Sequence, residues 1–144
     1  MKREYKELLL KDICARVPYK VCVEHTSGFC GTLHDITVYF TYNNDGTIKD
    51  YICHTNFFKD ESCKIEFFKP YLFPISSITK EIEDEIYQET GLYDIFKNDQ
   101  IHIEVGGNFE DICKLFEILN KYHIDYRGLI SLGLAIDATG KNIY

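Results

Sequence analysis

Six cysteines, five histidines and 23 acidic residues are the side chains of this 144-residue sequence with obvious chemical potential, and their spacing limits what that chemistry is. Cys30 and His34 stand at i and i+4, one face of a strand, and Cys53 adjoins His54, so either pair could form a thiolate–imidazole couple. Such a couple needs an orienting third group and an oxyanion site, and no motif supplies them. Buried structural thiols are the plainer expectation, and no catalytic residue is assigned. His25, His34, His54 and His102 show neither H-x-H nor H-E-x-x-H spacing, and no two cysteines approach as C-x2-4-C. No metal or other cofactor is expected.

Gly106-Gly107-Asn108 occupies the strand-to-helix position used by anion-binding loops. It lacks the spacing of the common nucleotide fingerprints, and Glu104, Glu110 and Asp111 surround it with negative charge, so an ordinary turn is expected. Glu81, Glu83, Asp84, Glu85 and Glu89 form the densest charge cluster, with Tyr87 and Tyr93 nearby. Acid beside tyrosine is a surface that docks a basic partner, because complementary fields steer association and aromatic rings anchor interfaces. Glu81, Glu83, Asp84, Glu85, Tyr87 and Tyr93 are therefore the partner-binding candidates, against a solvated helix face. Arg127, in Asp125-Tyr126-Arg127-Gly128, stands where a helix dipole disfavours it, so a carboxylate or carbonyl elsewhere should hold it; ligand contact is the other reading.

The elements that must position these residues follow from periodicity. Tyr5, Leu8, Leu9 and Ile13 predict a helix over 3–16, with Lys6, Glu7, Lys11 and Asp12 pointing away from its apolar face, ended by Pro18. Strands are expected at 20–25, from Ile36 to Tyr42, at 47–54 across the Asn43-Asn44-Asp45-Gly46 turn, and at 62–68. Short connections among them imply a four-stranded antiparallel meander. Lys69 to Pro74 reads as a rigid connector, because its prolines cannot donate backbone hydrogen bonds. Ser76, Ser77 and Thr79 offer caps for a helix over 80–90 closed by Gly91, Gln100 to Val105 reads as a strand, and Phe109, Ile112, Cys113, Phe116 and Leu119 define a broad-faced helix. Asp125 caps an expected last short helix reaching about Leu132, with Gly133 at its end.

Composition narrows the function classes. With 45% hydrophobic and 27% charged residues, the chain has enough apolar surface to build a core without a disulfide or metal. No apolar run exceeds three residues, as at Leu8 to Leu10, far short of the roughly 20 residues of a membrane span. With no secretory signal either, a cytoplasmic setting with reduced cysteines is expected. The net charge of −7 is uneven: residues 80–111 alone carry −8. With only Arg3, Arg16 and Arg127 and no basic run, direct nucleic-acid binding is not expected.

Three stretches carry a resemblance: Leu8 to Tyr19 (LLLKDICARVPY), Lys69 to Thr79 (KPYLFPISSIT), and Asp125 to Ile130 (DYRGLI) with Gly133-Leu134-Ala135. Together they resemble small uncharacterised proteins recurrent in Bacteroides genomes, their phages and mobile elements. The resemblance implies a bacterial or phage cytoplasmic protein and brings no functional residue with it. The reading is a single α+β domain over 1–144: an N-terminal helix, an antiparallel sheet of about four strands, then helix, strand, helix and a short C-terminal helix. Its expected function is a non-catalytic protein-binding module, an interaction partner, inhibitor or modulator. The competing readings are a small-molecule binder or small hydrolase with a pocket between the sheet and the C-terminal helices, and a self-associating structural protein.

Overall fold

The computed structural model describes residues 1–58, 62–103 and 107–144. Helix α1, Arg3–Arg16, buries Leu9, Asp12, Ile13 and Arg16. These four recur at i, i+3, i+4 and i+7, so one stripe holds all of them. Asp12, expected to face away, is therefore inside, and the pairing described below explains how a charge is tolerated there. A 3-10 turn, Val17–Tyr19, contains Pro18 and ends the helix.

The strands are β1 (Cys22–His25), β2 (Cys30–Thr32), β3 (Ile36–Tyr42), β4 (Ile48–Thr55), β5 (Cys63–Lys64) and β6 (Phe68–Leu72). Helix α2 (Lys80–Thr90), strands β7 (Phe96–Lys97) and β8 (Gln100–Ile101), helix α3 (Phe109–Lys121) and strand β9 (Ile136–Asp137) complete the order. The α+β class, the N-terminal helix, the antiparallel pairing and the C-terminal α3 agree with the sequence reading. The strands do not form one meander, however. They divide into a sheet ordered β2-β1-β6-β9, a sheet ordered β3-β4-β5 and a β7-β8 hairpin.

Two differences explain that division. Residues 62–68 are not one strand: β5 covers two residues and a 3-10 turn, Ile65–Phe67, separates it from β6. The stretch from Lys69, expected to be a connector, is largely β6, an inner strand antiparallel to β1 and parallel to β9. Pro70 fits because it opposes only Val23, while β9 reaches only Tyr71 and Leu72, so its missing N–H costs the β9 ladder nothing. Burial of Phe68, Tyr71 and Leu72 drives the segment inward.

The expected terminal helix at 125–132 is also absent. Successive turns replace it, held by the Asp125 carboxylate, which accepts from the N–H groups of Leu129 and Ile130 at 2.8 Å each. Gly128 has φ +72°, a conformation no right-handed helix contains. The expected strand from Gln100 is β8 only as far as Ile101, and Glu104, Val105 and Gly106 lie outside the described residues.

One core cluster joins α1 to Val21, Val23, Leu33, Tyr51, Cys53, Phe68 and the 129–135 turns. A second packs Ile82 and Ile86 of α2 against Leu115, Ile118 and Leu119 of α3, with Leu92, Ile95 and Ile124. The six cysteines are all free thiols; Cys22, Cys53 and Cys63 are buried, Cys113 is half-buried, and Cys14 and Cys30 are exposed. The expectation of buried thiols fails at Cys14 and Cys30, whose positions lie off the packed stripes, and holds only in part at Cys113.

Candidate functional site

Helix α2 is amphipathic with a narrow stripe: Ile82 and Ile86 pack on α3, and its other apolar residue, Tyr87, is exposed. Thr79 is the N-cap residue, although its side chain makes no capping bond, and Ser76 and Ser77 belong to the preceding 3-10 turn. Gly91, at φ +73°, donates to the Tyr87 carbonyl at 2.8 Å and ends the helix in the left-handed conformation that glycine adopts without penalty. The chain then doubles back, because Leu92 and Ile95 are buried and hold 92–96 beside α2. That reversal brings Tyr93 to Tyr87, ring centroids 6.5 Å apart and nearly perpendicular.

Between helix and returning chain lies a groove of about 580 Å³. Its floor includes Ile86 and Leu92, and its rim includes Glu83, Asp84, Tyr87, Tyr93 and Asp94. Tyr87 and Tyr93 are 52% and 78% exposed, so neither ring is spent on the core. Lys80 lies 3.4 Å from Asp84, and Lys97 lies 3.3 Å from Asp94; both are exposed pairs that a competing cation can displace at small cost.

The acidic cluster is thus divided. Glu83 and Asp84 line the groove, whereas Glu85 faces α3, accepting from Lys121 at 2.8 Å and from the Tyr122 hydroxyl at 2.6 Å. Those two donors hold the Glu85 carboxyl below its ordinary pKa. Glu89 shares the α3 side with Lys114 and Lys121. Glu81 sits in the exposed first turn, where its own backbone N–H and Thr79 lower its pKa.

Arg127 finds the carboxylate that the sequence demanded. Its Nη1 donates to Asp12 Oδ1 at 2.8 Å. Asp12 also accepts from Arg16 Nε and Nη2 at 2.8 and 2.9 Å, and Arg16 Nη2 donates to the Ile124 carbonyl at 2.8 Å. Tyr126 lies against both guanidinium groups. Asp12 and Arg16 are fully buried, and Arg16 Nη1 and His123 Nδ1 are buried without a hydrogen-bond partner among the described residues. Burial, reinforced by the Arg16 charge, pushes His123 down to about 4. Beside it, Phe73 donates to the His123 carbonyl and accepts from Asp125 N–H. The three stretches quoted for the resemblance therefore meet around one polar core. Sequence reasoning missed Asp12 and Arg16; their i, i+4 placement on the stripe of Leu9 and Ile13 was the available signal.

The other candidates remain apart. Cys30 lies near the Tyr71 hydroxyl at 3.6 Å and the Glu24 carboxylate at 3.8 Å, with no imidazole contact. Burial pushes the Cys53 thiol up to about 12, and the neighbouring His54 ring bonds the Ser62 hydroxyl instead. Among the described residues no group of three His, Cys, Asp or Glu could hold a metal ion. Gly106 is outside the described residues, and Asn108 closes a capping box with Asp111, so the start of α3 is satisfied by its own chain. A pocket of about 460 Å³ lies between Ile75, β8, Phe116 and the 125–128 turn. It contains Asp125, whose two oxygens are taken by backbone N–H groups.

No helix among the described residues is long and apolar enough to cross a membrane. In comparisons with known proteins, the chain matches no family model, no curated protein and no solved structure.

Proposed function

We propose that this chain is a non-catalytic binding module that docks a basic segment of another protein into the groove between α2 and β7. The observation that carries the reading is the convergence of Glu83, Asp84, Asp94, Tyr87 and Tyr93 on one open groove with an apolar floor. A lysine or arginine entering it meets carboxylates and tyrosine rings together at the rim, a contact worth roughly 0.5–2 kcal/mol for the aromatic part alone. The charge of −8 over residues 80–111 extends the attraction beyond contact. The same field disfavours direct nucleic-acid binding.

The resemblance to proteins of Bacteroides genomes, phages and mobile elements supports a bacterial or phage cytoplasmic role, with interaction, inhibition or modulation of a partner as its form. The test is the association rate of a partner captured from the source cell. Glu83→Gln with Asp84→Gln should slow association most at low salt, because steering acts on the on-rate. An unchanged rate in the folded variant would return α2 to a solvated face.

A further inference from the structure

Strand β3 is the edge of the β3-β4-β5 sheet, and its seven residues, Ile36-Thr37-Val38-Tyr39-Phe40-Thr41-Tyr42, contain no formal charge and no proline. Protein edges are ordinarily blunted by charge, proline or shortness. The outermost strands of the larger sheet, β2 and β9, have three and two residues, and β5, at the far side from β3, has two and carries Lys64. Among the described residues β3 is thus the one long edge without such protection. Tyr39, Phe40 and Tyr42 are 54%, 46% and 61% exposed along it.

We infer that β3 pairs with β3 of a second copy of this chain, antiparallel about a two-fold axis at Tyr39, to form a weak dimer. The strand is self-complementary in that register. Ile36 meets Tyr42, Val38 meets Phe40, Thr37 meets Thr41, and Tyr39 meets its own counterpart, so every cross-strand pair is aliphatic–aromatic, Thr–Thr or aromatic–aromatic. The pleat is respected, because the even-numbered residues pair with even and the odd with odd.

Charge favours a second copy over a charged foreign strand. Continuing the register sets Asp35 against Asn43 and His34 against Asn44, beside Asp45, so no like charges meet at the ends of the seam. The acidic stretch of the chain, 80–111, is not part of it. The register irregularity within each protomer falls between Thr41 and Tyr42, at the end of the seam and away from its centre.

Area sets the strength. The exposed parts of three aromatic side chains bring roughly 300 Å² per copy, and an edge about 24 Å long adds backbone and threonine surface. The total is on the order of 1,000 Å² for both copies, at the lower limit of specific interfaces and typical of transient ones.

The test is sedimentation of the full chain over a range from about 5 to 500 µM. The weight-average mass should rise with concentration from 16.9 kDa toward twice that value. A constant 16.9 kDa across the range overturns the inference and leaves β3 to a foreign strand or to none. Tyr39→Lys places like charges face to face on the axis and should abolish the rise, as should Tyr39→Glu. Mixing the two folded variants should restore it as a heterodimer. Variants that dimerise like the parent, or a mixture that stays monomeric, contradict the proposed seam. Binding through the α2 groove is independent of either result.

Discussion

Asp12 is the residue on which the buried polar core turns. It answers two arginines, one fully buried and one 26% exposed, so its loss strands positive charge inside the protein. Asp12→Ala should destabilise the fold by about 3–5 kcal/mol in chemical denaturation, in line with breaking one side of a buried pair. Arg127→Met should cost clearly less, because Arg16 keeps Asp12 paired. A loss at Arg127 equal to that at Asp12 would show that the outer arginine, not the inner one, carries the network. His123 gives the same region a pH dependence. The folded state resists its protonation down to about 4, through burial and the Arg16 charge, with Asp12 opposing. The unfolded chain takes that proton near its ordinary 6.5. Between those values the unfolded state binds more protons, so stability falls as pH drops from about 6.5 to 4, by at most about 3 kcal/mol. His123→Phe, which retains an aromatic ring for stacking on Tyr144, should flatten the melting temperature between pH 6.5 and 4.5. Below that range carboxylates contribute too, Asp50 among them: burial raises it, but Lys64 and Lys6 prevail and hold it near 2.

At the scale of elements, α2 presents two faces: one packs on α3, and the other lines the groove proposed as the docking surface. Glu85 joins it to α3 through Lys121 and Tyr122. Glu85→Gln should therefore lower stability by about 0.5–1 kcal/mol, whereas Glu83→Gln and Asp84→Gln should leave the melting temperature unchanged and alter binding alone. Thermal scans of the three single variants separate the roles; equal losses would mean that the groove carboxylates are structural as well. Asn108→Ala should cost about 1 kcal/mol, since the Asp111 N–H at the start of α3 loses its side-chain acceptor while the backbone N–H of residue 108 can still donate to the Asp111 carboxylate. The helices α1, α2 and α3 and the β3-β4 hairpin were legible because each repeats its apolar residues at its own period. Strand β6 was not, because Pro70 argues against an inner strand wherever the neighbouring strand's reach is unknown, and that reach depends on β9, far away in sequence. The 125–132 turns were hidden in a similar way: Asp125 is a valid helix cap, and only the positive φ of Gly128 decides the matter.

For the whole molecule, the question is how one face comes to hold acid and tyrosine together. Sequence alone identified α2 and both tyrosines, but it treated five acidic residues as one cluster. It had no means of knowing that the chain reverses at Gly91 and that α3 claims Glu85. The groove depends on that reversal, which rests on Leu92 and Ile95 reaching the second core cluster. Arg127 was partly legible, since its need for a carboxylate was evident while the identity of Asp12 was a tertiary fact. Docking in the α2–β7 groove, as proposed, is tested by selecting ligands from a random peptide display library on the immobilised full chain. Selected peptides should share lysine or arginine beside apolar residues. Their binding to a folded variant carrying Glu83→Gln, Asp84→Gln and Tyr93→Ala should fall at least tenfold, about 1.4 kcal/mol. Peptides that bind the parent and this variant with equal affinity would place the docking surface elsewhere.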